Sequence, residues 1–308
     1  MKCSFWTCMV TVAFATKCIS GWTGPGPVFP TRTSRPILAP YCCSKPASFV
    51  SQFPRRQTFA MAAGAATPKT NSDSLLISKM DRIGLLEEDV KLILASQSPR
   101  RREILDMMGL AGRYTVHPSP LDEEALQVEL AKITPQLCPK EYTKTLAEEK
   151  AKAMAMTLVS QGQSSHETFF ILGSDTIVDL NGSILNKPVD EKEAELMLTR
   201  LSGNLHEVHT GVALYQVSPA QPHETNPAEP ILIKSYTDTA RVRFTTLSKA
   251  DIESYVKTGE PMDKAGSYGI QGIGGQFVEG IEGDFFVVMG LPMHSLSRTM
   301  SDALTLLD

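Results

Sequence analysis

Ala95-Ser96-Gln97-Ser98-Pro99-Arg100-Arg101 joins the apolar run Leu92-Ile93-Leu94 to a stretch where Ile104, Leu105, Met108 and Leu110 recur at helical spacing. The run reads as a buried strand, the spaced residues as an amphipathic helix, and Gly109 as its stop. Pro99 suits the first helical position, because its missing N–H is one the helix would leave unpaired anyway. Two hydroxyl residues and two arginines therefore occupy a strand-to-helix turn. Exposed helix N–H groups, hydroxyls and two guanidinium forks in one place suit a polyanion such as a phosphate chain. Arginine is also unexpected there, since the helix dipole favours acids at that end. A solvated basic turn remains the competing reading of the motif on its own.

The rest of the chain agrees with a strand-and-helix alternation. A strand is expected near Tyr114 to His117 and a long helix over Glu141 to Val159. Phe169-Phe170-Ile171-Leu172 reads as a buried strand ending at Gly173-Ser174-Asp175-Thr176. Asn181-Gly182 between Ile177–Leu180 and Ile184-Leu185 is a strong hairpin signal. A helix over Glu191 to Leu201 follows, then β-rich runs over Val208 to Val217 and Ile231 to Phe244, joined by a polar loop from Ser218 to Pro230. Ser248 is a good cap for a helix running to Lys257. Phe277-Val278 and Phe285 to Val288 are expected to close the sheet before a final helix after Pro292. The fold class is α/β, a mixed twisted sheet with flanking helices.

Composition bounds the function. With 42% hydrophobic and 21% charged residues, the 308-residue chain can bury a full core. Its net charge of −4 argues against a general nucleic-acid binder. No acid precedes Asp73, whereas Lys2, Lys17, Arg32, Arg35, Lys45, Arg55 and Arg56 are scattered among Ser, Thr, Pro and Ala. Residues 1–70 are therefore expected to be a disordered leader or targeting segment, and 71–308 the folded domain. Phe5 to Phe14 resembles a signal-peptide core but is too short to span a bilayer. A mitochondrial or plastid transit peptide, or an optional leader ahead of a second start at Met61, fits the same composition; without a transit signal the expected compartment is cytoplasmic. Of the six cysteines, Cys3, Cys8, Cys18, Cys42 and Cys43 lie in that leader and only Cys138 in the body. No disulfide framework is expected there, which suits a reducing compartment.

Asp175 stands at the expected exit of a buried strand, flanked by small residues that would let a ligand approach. A turn or capping aspartate satisfies the same local sequence. Lys187 leaves the hairpin in Asn186-Lys187-Pro188, Lys150 lies in the long helix, and Asp122, Glu123 and Glu124 form an acidic cluster before it. Together they offer carboxylates for a divalent cation and cations for phosphate oxygens. The glycine-rich run Pro261 to Gly275 has neither Walker nor Rossmann spacing, but an open loop could bring Gln271 to a base edge. His206 and His209, three apart on a strand, face opposite ways and read as ordinary strand residues.

These blocks, in this order, resemble the Maf family of nucleoside triphosphate pyrophosphatases from about Leu92 to the C-terminus. The resemblance rests on Ala95 to Arg101, Gly173-Ser174-Asp175-Thr176, Asn186-Lys187-Pro188, Leu201-Ser202-Gly203, His209-Thr210-Gly211-Val212, Glu260 to Gly272 and Met289-Gly290-Leu291-Pro292. It implies an elongated, two-lobed fold of the Maf and ITPase type with a central cleft, often a homodimer. It implies hydrolysis of a triphosphate between its α and β phosphates, with Mg²⁺ or, in its place, Mn²⁺ or Co²⁺. It implies a proton acceptor at Asp175, phosphate contacts from Ser96, Arg100, Arg101, Lys150 and Lys187, and metal ligation by Asp175 and Glu123, with Asp122 as the neighbouring choice. Specificity would rest on Arg100, Thr176 and Gln271, in the form that resembles the dTTP- and UTP-hydrolysing branch. The amide of Gln271, both donor and acceptor, suits the imide edge of thymine or uracil. A nucleotide-pool housekeeping role follows, with no nucleic-acid or membrane partner. A pyrimidine-triphosphate sensor and a nucleotidyl or phosphoryl transferase are the competing classes. A poised base argues against the first, and pyrophosphate release with water alone separates the second.

Overall fold

In the computed structural model, the described residues are 74–84, 90–133, 137–161, 167–219 and 229–308. The expected leader, with its five cysteines, and most of the Ser218 to Pro230 loop lie outside them. The decisive turn has the expected neighbours. Strand β1 (Val90–Leu94) is buried at every position and leads to helix α1 (Pro99–Leu105), which has proline in its first turn. α1 is shorter than expected. A wide turn from Asp106 to Leu110 follows it, because Gly109 takes a left-handed φ of 84°.

β1 pairs in parallel with β2 (Tyr114–Val116) on one side and β3 (Thr168–Leu180) on the other. β3 then pairs antiparallel with β5 (Leu205–Val217), β5 with β6 (Ile231–Phe244), and β6 with β7 (Val278–Glu282). The short β4 (Ser183–Leu185) folds back on the end of β3 through Asn181 and Gly182, whose φ values of 55° and 85° are those of a type I′ turn. The sheet order is β2-β1-β3-β5-β6-β7, with β4 beside β3.

β3 and β5 have 13 residues each and span roughly 43 Å. That length lets one sheet face carry two separate cores. Leu92, Leu94, Phe170, Leu172 and Leu214 pack with α7 (Met293–Thr305) at one end; Val178, Val208, Val242 and Phe244 pack with α4 (Glu191–Leu201) and α5 (Lys249–Val256) at the other. The two cores are the two lobes. On the opposite face, α3 (Pro139–Ser160) lays Ala147, Ala151 and Met154 against Ile93, Ile171 and Ala213. Small residues make this approach close: a side chain on Gly173 would meet the α3 backbone at Ala147 and Ala151, and one on Gly211 the backbone at Thr143.

Two expectations are corrected, and one element is added. β3 does not end at Gly173 but runs on to Leu180, because pairing with β5 continues from Phe169↔Val217 to Asp179↔Glu207 without a break. Phe285 to Val288 is not a strand; Asp284 caps it through the Phe286 N–H at 2.9 Å, and it forms the short helix α6 (Phe285–Met289). The stretch between the expected strand ending at His117 and the long helix, given no element by the sequence, contains the helix α2 (Glu123–Ile133), which Glu123 opens. Among the described residues no helix is long and apolar enough to cross a membrane, and Cys138 is a free, exposed thiol.

Candidate active site

The site lies where the sheet edge is interrupted. Along one edge of β3, β1 pairs up to Leu172 and β4 pairs from Val178, leaving residues 173–177 unpaired on that side. A cleft of about 490 Å³ opens there. Asp175 is therefore not at the end of its own strand. It sits just past the carboxyl end of β1, which is where open α/β sheets present ligands.

The floor is an ion-pair triad. α3 carries Lys150, which is 5% exposed, down onto β3. Its ammonium lies 2.7 Å from Asp175 Oδ1 and 2.8 Å from Glu123 Oε2. A lysine this buried requires such partners, since an uncompensated charge there would be costly. Glu123 reaches it from the first turn of α2.

The turn from β1 forms one wall. Arg101 is buried and each part of its guanidinium is engaged: Nε donates to Gly290 O at 3.0 Å, Nη1 to Ser96 Oγ at 2.8 Å and Nη2 to Thr176 Oγ1 at 3.3 Å. Burial lowers its pKa from the ordinary arginine range, and the charge of Asp175 works the other way. Thr210 donates to Val287 O at 2.7 Å, so the Thr176 hydroxyl, 3.0 Å away, is the donor to Thr210 and accepts from Arg101. This chain fixes the threonine beside Asp175. Arg100 instead pairs with Asp263 at 2.9 Å, and both line the cleft. Asp263 also accepts from Lys264 at 2.6 Å. Burial would raise the Asp263 carboxyl, but these two cations outweigh it and hold it below the usual range.

The opposite wall brings Lys187, Lys264, Tyr268 and Gln271 to the same cleft. Lys187 and Gln271 are exposed there. Ser96, Arg100, Arg101, Glu123, Lys150, Asp175, Thr176, Lys187 and Gln271, all expected to form the site, line this one cavity; Asp122, the other candidate acid, instead accepts the Ala125 N–H at 3.0 Å at the start of α2. Sequence reading gave no role to Lys264, Asp263 or Glu260. Glu260 organises the glycine-rich run: its carboxylate accepts the N–H groups of Ile273 (3.0 Å) and Gly274 (3.1 Å) and the Tyr255 hydroxyl (2.9 Å). Partial burial would raise its pKa, and these bonds turn the shift downward. Gly272 is required beside it, as a Cβ there would come within 2.6 Å of the carboxylate.

Residues 91–303 match the family model described as Maf-like protein. The chain belongs to the Maf family. It is 40% identical over 210 residues to the dTTP/UTP pyrophosphatase of Bacillus pumilus (strain SAFR-032), covering 68% of this chain and 95% of that protein. It is 43% identical to the dTTP/UTP pyrophosphatase of Shewanella sp. (strain MR-7), covering 70% and 98%. It is also 38% identical to a probable bifunctional dTTP/UTP pyrophosphatase/methyltransferase protein of Homo sapiens, covering 68% of this chain and 31% of that one.

Proposed function

We propose that this Maf protein hydrolyses dTTP and UTP to the monophosphate and pyrophosphate, with residues 71–308 as the catalytic domain. The observation that carries the reading is the Lys150 ammonium bridging Asp175 and Glu123 at the base of a cation-rimmed cleft. The names of relatives that align over nearly their whole length support the substrate class.

The residues fit a hard divalent cation such as Mg²⁺. Two carboxylates converge within 2.8 Å of one nitrogen, and oxygen donors are what Mg²⁺ takes. Asp175 and Glu123 would hold it, and once bound it would offset charge on the phosphate oxygens. The chain's own residues do the rest. Arg100, Lys187 and Lys264 hold the triphosphate, in a cleft where fixed charges need no reorganisation. Ser96 and Arg101 frame that wall; Arg101 gives three of its five N–H groups to Gly290, Ser96 and Thr176, which fixes Thr176, and its charge adds positive field. Lys150 holds Asp175 through Oδ1 and so orients the carboxylate that accepts a proton from the attacking water. Gln271 meets the imide edge of the base.

The test is pyrophosphate release by the full chain with Mg²⁺ across a nucleotide panel. Asp175→Asn keeps the shape and removes the base, and is expected to lower kcat by about 10²–10⁴-fold. A folded variant with near-normal turnover would overturn the assignment. Preference for 7-methyl-GTP over dTTP and UTP would overturn the role of Gln271.

A further inference from the structure

Asp179, Glu207 and His209 converge on the α3-facing side of the sheet, outside the cleft. Asp179 lies opposite Glu207 in the β3–β5 register, and His209 is two residues further along β5 on the same face. The ligand atoms of all three lie within 4.8 Å of one another. His209 is 1% exposed, and its Nε2 points between the carboxylates, 3.7 Å from Asp179 Oδ2 and 3.6 Å from Glu207 Oε2.

Two of the three are held by a hydrogen bond through their other polar atom, and the third faces a cation. His209 Nδ1 pairs with Thr239 Oγ1 at 2.9 Å, Asp179 Oδ1 accepts the Gly182 N–H at 2.7 Å, and Glu207 Oε1 faces Arg241 Nε at 3.9 Å. Such outer partners are what orient metal ligands. Nε2 stands beyond hydrogen-bond distance of both carboxylates, at the spacing of ligands arranged around an ion rather than of groups bonded to one another. Ligands about 2.1 Å from a tetrahedral ion lie about 3.4 Å apart, close to the separations seen.

We propose that Asp179, Glu207 and His209 form a second divalent-metal site, of tetrahedral zinc type with a fourth position open to water. It is distinct from the cleft. Asp179 lies four residues beyond Asp175, roughly 13 Å along β3, too far to share an ion. A metal there would tie β3, β5 and the Asn181-Gly182 turn together.

The experiment uses the full chain stripped by chelator and titrated with Co²⁺, whose visible absorption is intense only in tetrahedral sites. Wild type is expected to gain one intense equivalent, displaced by Zn²⁺ and retained in Asp175→Asn. His209→Ala should abolish it. Glu207→Gln, a half-exposed position that does not threaten folding, should weaken it at least about tenfold. Absence of the intense band in wild type would overturn the proposal, as would its survival in Glu207→Gln. So would its loss in Asp175→Asn with retention in the other two variants, which would assign the band to the cleft.

Discussion

Replacing Gly173 by alanine perturbs catalysis through packing alone, because Gly173 touches no substrate group in the proposed mechanism. A Cβ at this position would lie 2.8 Å from the Ala151 side chain and 2.9 Å from its backbone nitrogen, with the Ala147 carbonyl nearer still. Ordinary contact begins near 3.5 Å, so α3 must retreat by on the order of 1 Å. Overpacking of this kind costs about 1–3 kcal/mol, a little of which is regained from the lower chain entropy of alanine. The functional effect is larger. Lys150 precedes Ala151 on α3 and holds Asp175 at 2.7 Å and Glu123 at 2.8 Å, so the same retreat opens both contacts. A misplacement near 1 Å can cost about 10²-fold in rate. Gly280→Ala is the control, since a Cβ there meets nothing within 4 Å, and it should change stability by less than about 0.5 kcal/mol. Urea unfolding gives the stability change and pyrophosphate release from dTTP the rate. If Gly173→Ala matched wild type in both, α3 would not be what sets the lysine on the aspartate.

Two further outcomes follow from single groups. His206 is fully buried against Phe244 and Tyr268, and burial lowers its pKa from 6.5 to about 4. Above pH 6.5 it is neutral folded and unfolded and contributes nothing. As pH falls from 6.5 to 4 only the unfolded chain gains the proton, so stability declines by about 3 kcal/mol across that window. His206→Gln should flatten that part of the pH–stability curve, and an unchanged slope in urea unfolding would refute it. Gln271→Glu removes the donor half of the amide while keeping its shape, so kcat/KM for dTTP and UTP should fall about tenfold or more; equal values would place base recognition elsewhere.

Where local chemistry decides structure, the sequence was readable. The Asn181-Gly182 hairpin, the Ser248 cap with its reciprocal Asp251 bond and the β6 strand all follow from neighbours in the chain. Reading failed where a distant partner overrides composition. Gly173-Ser174-Asp175-Thr176 has the composition of a turn, yet β5 supplies an uninterrupted ladder that keeps it extended. Phe285 to Val288 is apolar enough for a strand, and one capping aspartate makes it a helix. Glu260 carries no local signal, because its partners are N–H groups thirteen and fourteen residues later. Asp179 and Glu207 are invisible as a pair until the β3–β5 register sets them opposite one another.

The cleft exists because two short connections end where they do. β1 stops at Leu94, and the chain turns away through Ala95 and Ser96 into α1; a longer β1 would pair over residues 173–177 and bury the edge that carries Asp175. On the far side, the two-residue turn sets the register of β4, which ends after three residues, so Asn186 and Lys187 leave the sheet at the gap. A single-residue slip in that hairpin would flip the faces of β4 and carry Lys187 away from the rim. The same edge thus needs a short strand on each side, and the Ser96–Arg101 turn and the Asn181-Gly182 turn supply them. Catalytic geometry in this chain is set by where strands stop as much as by which residues they carry.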